Sequence, residues 1–166
     1  MNDLPPRSPW WTGRRGEWYV AAQGLLFLLV AFGPRSAFGL PPWPAPAAGL
    51  ASGAGVALLA LGATICAAAA LHLGNNLTPL PHPRDDASLV TTGPYRYVRH
   101  PIYCGVLLLA LGWALFVQGW LTLLYAALLF VFFDIKSRKE EAWLMARFPA
   151  YAAYRQRVRK LIPFLY

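Results

Sequence analysis

The sequence predicts an all-α membrane protein with about four transmembrane helices. Of its 166 residues, 57% are hydrophobic and only 13% are charged, whereas about a quarter are charged in an ordinary soluble domain. The apolar residues are gathered in long runs, and a helix needs about 20 of them to cross a bilayer. The 15 Lys and Arg residues lie at the chain ends and beside these runs. We therefore attribute the net charge of +8 to membrane orientation and expect no nucleic-acid partner.

Four apolar segments are the candidate spans. They run from about Trp18 to Phe32, Ala47 to Leu73, Pro101 to Val117 and Trp120 to Ile135. The second is rich in Gly and Ala, which let helix backbones approach closely in lipid, so we expect it at the centre of the bundle. Gln118 and Gly119 alone separate the last two spans, which predicts a tight antiparallel hairpin.

Basic residues are distributed unequally between the two sides of this arrangement. The N-terminal segment holds three, the loop between the second and third spans holds three, and the tail after the fourth span holds eight. The loop after the first span holds Arg35 alone. Because Lys and Arg concentrate in cytoplasmic loops, both termini are predicted to be cytoplasmic.

Two polar segments are predicted on the cytoplasmic side. In the loop 74–100, Pro and Asn residues oppose a regular helix, while its apolar and aromatic residues favour a folded loop over disorder. In the tail, the fourth helix is predicted to continue until Phe148-Pro149, and an amphipathic stretch with Tyr151, Tyr154 and Val158 follows. A basic helix on anionic headgroups would explain the arginines of the tail but not its Glu-Glu pair.

The hairpin brings the start of the third helix and the end of the fourth to the same side. We therefore expect one site there, made of Tyr95, Arg99, His100, Tyr103, Glu140, Glu141 and the tail tyrosines. Arginine can grip a carboxylate, glutamate can hold an ammonium group, and tyrosine offers a flat surface. S-adenosylmethionine (SAM) carries a carboxylate, an ammonium group and a purine. A nicotinamide nucleotide would also suit these side chains.

The same residues have structural explanations. Arg99 could anchor the chain at the membrane interface, and the tyrosines could belong to an aromatic belt. The Glu-Glu pair could lie on a solvated helix face beside Lys136 and Arg138. His100 could cap the third helix, since Pro101 suits a first helical position. The three histidines are scattered, so no metal site is predicted.

The stretch "GPYRYVRHPIYCG" (93–105), the later "EE" and the closing aromatic-basic segment carry a family resemblance. Together they resemble the isoprenylcysteine carboxyl methyltransferase family and its bacterial relatives, within a wider group that includes phospholipid methyltransferases. The resemblance covers roughly 74–166. It implies a single membrane methyltransferase domain, 1–166, with the first two spans in 1–73 and the cofactor-binding catalytic part in 74–166. It also implies SAM as cofactor and a bacterial inner membrane as location.

The resemblance also implies roles for particular residues. The cofactor pocket would include Tyr95, Arg99, His100, Pro101, Tyr103, Gly105, Glu140 and Glu141. Tyr154 and Arg155 would serve catalysis, with Arg155 orienting an acceptor carboxylate. The acceptor would be a lipophilic small molecule in contact with membrane lipids, most simply an isoprenylcysteine-like carboxylate, and no obligate protein partner is implied. A phospholipid or other small-lipid amine is the alternative.

Two other functions compete with methyl transfer. Membrane sterol reductases resemble the family at their C-terminal end and use NADPH, whose phosphates Arg155, Arg157 and Arg159 could bind. A membrane scaffold or transport subunit is less favoured, because the spans are uncharged and the polar residues gather at one face.

Overall fold

The computed structural model describes residues 15–37, 39–83 and 86–166. Within them the chain forms five α-helices: α1 (Glu17–Phe32), α2 (Ala45–Leu73), α3 (Pro101–Phe116), α4 (Trp120–Arg147) and α5 (Tyr151–Arg157). Single 3₁₀ turns lie at Gly74–Asn76 and Gly93–Arg96. The described part contains no strand beyond one isolated bridge between Val98 and Arg159, so the all-α prediction is confirmed. Three of the basic residues counted for membrane orientation, Arg7, Arg14 and Arg84, lie outside the described residues.

Helix length separates the four apolar helices into two pairs. By length and composition α2 and α4 can each cross a membrane, with mean hydropathies of 2.2 and 1.6 over their most apolar stretches. The helices α1 and α3 are apolar but have 16 residues each, fewer than the ~20 that a straight crossing needs. As predicted, α4 continues past Ile135 and ends before Phe148-Pro149.

The helix α2 packs against α3 with their backbones in contact, along a surface that we call the seam. A Cβ added at Gly55 would lie 2.7 Å from the carbonyl oxygen of Gly112, and one at Gly62 would lie 2.6 Å from that of Gly105. The buried residues of α2 are Gly55, Gly62 and Ala69, which recur every seven positions on one helix face. This spacing allows close approach along a single stripe only.

The prediction that α2 lies at the centre of the bundle is therefore wrong. The order of packing is α2 on α3, α3 on α4, and α4 on α1, so α2 lies at one edge of the bundle. Its other face is exposed, including Leu50 and Leu71. The hydrophobic core lies instead between α3, α4 and α1, around Ala110, Leu129 and Phe133.

The connection between α3 and α4 is the tight hairpin that the sequence predicts. Gln118 adopts a positive φ of 55°, and its side-chain amide donates to the hydroxyl of Ser52 at 3.0 Å. The hairpin thus fixes α3 beside α4 and ties both to the start of α2.

At the opposite end of the bundle, the loop and the tail fold over the helices. Gly93 has a φ of 58°, and any Cβ there would meet the ring of His72 at 2.2 Å. The tail then crosses the segment before α3, because the backbone N–H groups of Arg99 and His100 donate to the carbonyls of Arg159 (2.8 Å) and Lys160 (3.1 Å). We call this half of the molecule, residues 74–100 and 134–166, the polar end.

Candidate active site

A cavity of about 380 Å³, the main cavity, lies between the folded loop, the start of α3, the end of α4 and α5. Six of the eight residues predicted to bind the cofactor line it, and so does Tyr154. These are Tyr95, Arg99, His100, Pro101, Tyr103 and Glu140. Leucine, valine and proline side chains of the loop form an apolar wall opposite them. The volume of the main cavity is within the range of small-molecule sites.

The entry to α3 builds one side of the main cavity. Pro101 occupies the first helical position, so His100 and Tyr103 stand one turn apart. Their rings stack at 5.3 Å, and the Tyr103 ring stacks in turn on the buried Phe133 at 4.4 Å. The Tyr103 hydroxyl donates to Oε2 of Glu140 at 2.8 Å. An aromatic column thus joins the Glu140 carboxylate to the hydrophobic core.

The two neighbouring glutamates have different surroundings. Successive helical side chains point about 100° apart, as 3.6 residues per turn dictates. Glu140 lines the main cavity with 26% of its side chain exposed. Glu141 is 3% exposed and accepts from Arg99 Nε at 2.8 Å and lies 3.1 Å from His100 Nε2. Glu141 therefore binds Arg99 and His100 without lining the main cavity, and Glu140 is the carboxylate available to a ligand.

The tail closes the main cavity through two tyrosines of α5. The Tyr154 hydroxyl donates to the carbonyl oxygen of Tyr95 at 2.5 Å. Burial raises the pKa of Tyr154 to about 12, so this hydroxyl stays protonated at neutral pH. Tyr151 is 2% exposed, and its hydroxyl has no partner within the described residues although the side chain lines the cavity. Burial, followed by the Glu141 charge, raises the pKa of Tyr151 as well.

Gly105 and Arg155, two of the predicted site residues, lie elsewhere. Gly105 belongs to the seam, where an added Cβ would lie 2.5 Å from the sulfur of Cys66. Arg155 places its Nε 3.3 Å from Glu141 and lines a second cavity behind the Arg99–Glu141 pair. The glycine thus serves helix packing, and the arginine faces away from the main cavity.

Lys136 is a cation of the site that the sequence analysis did not predict. It is 1% exposed and lines the main cavity. Its ammonium donates to the carbonyl of Pro79 at 2.9 Å and to the side chain of Gln23 on α1. It also lies 5.4 Å from the centre of the Tyr103 ring. The signal in the sequence is its position one turn before Glu140, which places both residues on the same side of α4.

Fold and cavity together define a class of protein. It is a small helical bundle with membrane-type helices, whose ligand site sits at one end and combines Arg, His, Tyr, Glu and Lys. The family model described as phospholipid methyltransferase matches residues 50–151. The chain belongs to this family.

Individual relatives show which kind of methyltransferase the chain resembles. Over 82 residues the chain is 40% identical to the protein-S-isoprenylcysteine O-methyltransferase of Schizosaccharomyces pombe, covering 48% of this chain and 35% of that protein. Over 115 residues it is 31% identical to a probable protein-S-isoprenylcysteine O-methyltransferase of Oryza sativa subsp. indica, covering 67% and 60%. These matches confirm the resemblance to isoprenylcysteine carboxyl methyltransferases. The chain spans about a third to three fifths of the length of these two relatives.

A solved structure shares the fold. It is that of the eukaryotic intramembrane Ras methyltransferase, an isoprenylcysteine carboxyl methyltransferase. The TM-score is 0.64 at 24% identity, and the match covers 98% of this chain and 55% of that one. Nearly the whole chain therefore corresponds to about half of a larger membrane protein.

Proposed function

We propose that the chain is an integral membrane methyltransferase that uses SAM and methylates the carboxylate of a lipophilic, isoprenylcysteine-like acceptor. The observation that carries the proposal is the main cavity, where Glu140 is the one carboxylate among the described lining residues. Apolar side chains of the loop and the cations Arg99 and Lys136 line the same cavity. The names of the relatives support the same reaction.

The lining residues fit SAM. The Glu140 carboxylate suits the ammonium group of the cofactor, and its Oε2 is fixed by Tyr103. The Tyr151 hydroxyl is buried at the cavity wall and has no partner among the described residues, so it suits the cofactor carboxylate. The apolar side chains of the loop suit the purine. When bound, SAM supplies an electrophilic methyl group on a sulfonium.

The protein's own contribution is positioning and exclusion of water. Glu141 neutralises Arg99 and orients His100, so that these side chains keep their places in the absence of a ligand. The Tyr154–Tyr95 bond holds α5 over the cavity. Holding reactants in place and removing water are the main sources of acceleration for a reaction in which charge is neutralised.

Lys136 replaces Arg155 as the proposed partner of the acceptor carboxylate, because Lys136 lines the main cavity and Arg155 does not. An acceptor carboxylate is ionised at neutral pH and needs no general base. A lysine ammonium attracts it and repels the protonated amine of a phospholipid. The family description favours a phospholipid amine as the second candidate acceptor, whereas the charge of Lys136 favours the carboxylate.

We also propose that all four apolar helices, α1 to α4, cross the membrane and that the polar end faces the cytoplasm. In support, α1 and α3 are apolar and pack within the same bundle as α2 and α4. All but one of the 15 Lys and Arg residues fall on the proposed cytoplasmic side.

Calorimetry on the detergent-solubilised protein tests the cofactor. We expect SAM to bind and NADPH not to bind, and Glu140→Gln to weaken SAM binding by about tenfold or more, the worth of one charge-assisted hydrogen bond. Binding of NADPH without SAM would instead support the reductase alternative.

Methyl transfer from labelled SAM then tests the acceptor. We expect product from a farnesylcysteine analogue and none from phosphatidylethanolamine. Lys136→Met should raise KM for the farnesylcysteine analogue and leave SAM affinity unchanged. Methylation of phosphatidylethanolamine alone would overturn the choice of a carboxylate acceptor.

A further inference from the structure

A second cavity, of about 480 Å³, lies behind the Arg99–Glu141 pair, and we call it the basic cavity. Five cationic side chains line it: Arg99, Arg138, Arg155, Arg159 and Lys160. Two side-chain carboxylates compensate them. Glu141 pairs with two of the five, and Asp134 pairs with two others, Arg138 and Lys160. Counted over the side chains of the described residues, three positive charges are therefore left in excess.

Among these five cations, Arg159 is the one that pairs with no carboxylate of a described residue. Its backbone carbonyl is bound by the Arg99 N–H, but its exposed side chain has no hydrogen bond or ion pair with any described residue. An arginine guanidinium has five donors in a planar fork that fits phosphate oxygens. The basic cavity thus combines room for a ligand, net positive charge and an unoccupied guanidinium.

The location of the basic cavity indicates the kind of anion. Along α4 the exposed residues Leu124, Leu128, Val131 and Ile135 form one apolar stripe. Three residues after Ile135, on the same helix face, comes Arg138, which lines the cavity and is 69% exposed. The apolar stripe of α4 therefore ends beside a group of cations. A membrane lipid has the same order, with apolar acyl chains next to a charged phosphate.

The end of the tail extends this amphipathic surface. Leu165 lines the basic cavity and is 78% exposed, and the neighbouring Phe164 is 83% exposed. Exposed apolar residues beside a basic cluster are typical of surfaces that insert into the interface of an anionic membrane.

We propose that the basic cavity binds the phosphate headgroup of an anionic membrane lipid whose acyl chains lie along the exposed stripe of α4. Arg159 and Arg138 contact the phosphate, and the excess positive charge selects net-anionic lipids over zwitterionic ones. The bound lipid would anchor the tail that closes the main cavity. The proposal rests on the proposed membrane insertion of α4 but not on methyl transfer, since lipid binding is measured without that reaction.

The test uses the full chain in nanodiscs of phosphatidylcholine, with or without phosphatidylglycerol. We expect phosphatidylglycerol to raise the melting temperature and to be retained in native mass spectra. Arg159→Gln removes no side-chain hydrogen bond or ion pair with a described residue, so it should keep the fold. It should weaken binding of phosphatidylglycerol by about fivefold, the effect of one arginine near a charged surface. Arg138→Gln, measured separately, should act in the same direction.

Arg157→Gln is the matched control. Arg157 is an exposed arginine two residues away that bonds the carbonyl of Ala153 and lies outside the lining of the basic cavity. An equal loss of phosphatidylglycerol in Arg157→Gln would overturn the proposal in favour of a general charge effect. So would equal stabilisation by inorganic phosphate in detergent, or a change of oligomeric state in Arg159→Gln that accounts for the loss.

Discussion

The seam between α2 and α3 and the polar end are held together in opposite ways. In the seam, glycines bring two backbones together, and added Cβ atoms at Gly55 and Gly112 would meet the other helix at 2.7 and 2.8 Å. At the polar end, buried charges hold the segments, with Glu141 contacting side chains from the segment before α3 and from α5. The seam should therefore be sensitive to side-chain volume, and the polar end to charge at constant volume.

The largest effect is expected from added volume in the seam. In Gly55→Leu the new side chain would collide with the backbone of Gly112 and Phe116, so the helices would have to separate. We expect a loss of more than about 3 kcal/mol, the upper end of the usual cost of overpacking. Thermal unfolding and size-exclusion chromatography in detergent measure it.

Gly53→Leu provides the control for this experiment. Gly53 lies on the same helix and has no atom within 4 Å of an added Cβ. Its substitution should leave the melting temperature nearly unchanged. Equal destabilisation of the two variants would mean that α2 tolerates a large side chain on neither face, and that contact at the seam does not explain the loss.

The seam also shows how far the sequence alone leads. Its small residues correctly predict a close helix approach, but composition does not say whether one face or several faces of α2 are covered. The recurrence of Gly55, Gly62 and Ala69 at intervals of seven holds that information, because it marks a single stripe. The four apolar helices and their hairpin follow from hydrophobic run length alone, which is why they are predicted well.

Six of the eight residues predicted to bind the cofactor line the main cavity, but the sequence did not show which glutamate faces it. Glu140 and Glu141 are equivalent in sequence, and only the orientation of α4 against its neighbours assigns one to the cavity and the other to the interior. The position of Lys136 one turn before Glu140 is a local signal, but its bond to Gln23, 113 positions away, is not visible in the sequence. Such long-range pairs leave no local pattern, whereas the arginines of the tail form a conspicuous but misleading one.

An intermediate effect is expected from a change of charge at constant volume in the polar end. Glu141→Gln keeps the shape but leaves Arg99 and His100 without their buried carboxylate. Removing one partner of a buried pair costs about 3–5 kcal/mol. Because the amide oxygen of Gln can still accept a hydrogen bond, we expect a loss of stability at the lower end of this range. The shift of the unfolding midpoint measures it.

Glu140→Gln is the matched comparison, since it makes the same change one residue earlier. Glu140 is partly exposed, and Gln retains an oxygen that accepts from Tyr103. Its midpoint should therefore move little, while its SAM affinity falls. Equal midpoints for the two variants would contradict the division between a structural and a ligand-facing glutamate.

The smallest effects are expected from two hydroxyls of α5. In Tyr154→Phe, the carbonyl of Tyr95 loses its donor, which should cost about 1–2 kcal/mol. The pKa of about 12 in the folded protein exceeds the ordinary value of 10.0. The stability linked to Tyr154 is therefore fully present below pH 10 and is lost as the pH rises through about 12, so Tyr154→Phe should flatten the alkaline limb of the stability profile.

Tyr151→Phe completes this comparison, because the Tyr151 hydroxyl has no partner among the described residues. Its removal should leave the unfolding midpoint unchanged or slightly raised, since a buried hydroxyl without a hydrogen bond is itself unfavourable. If that hydroxyl holds the cofactor carboxylate, SAM affinity should fall by about fivefold to tenfold, the worth of one hydrogen bond. Unchanged SAM affinity together with a lowered midpoint would reverse the assignment, making Tyr151 a structural residue with no part in holding the cofactor carboxylate.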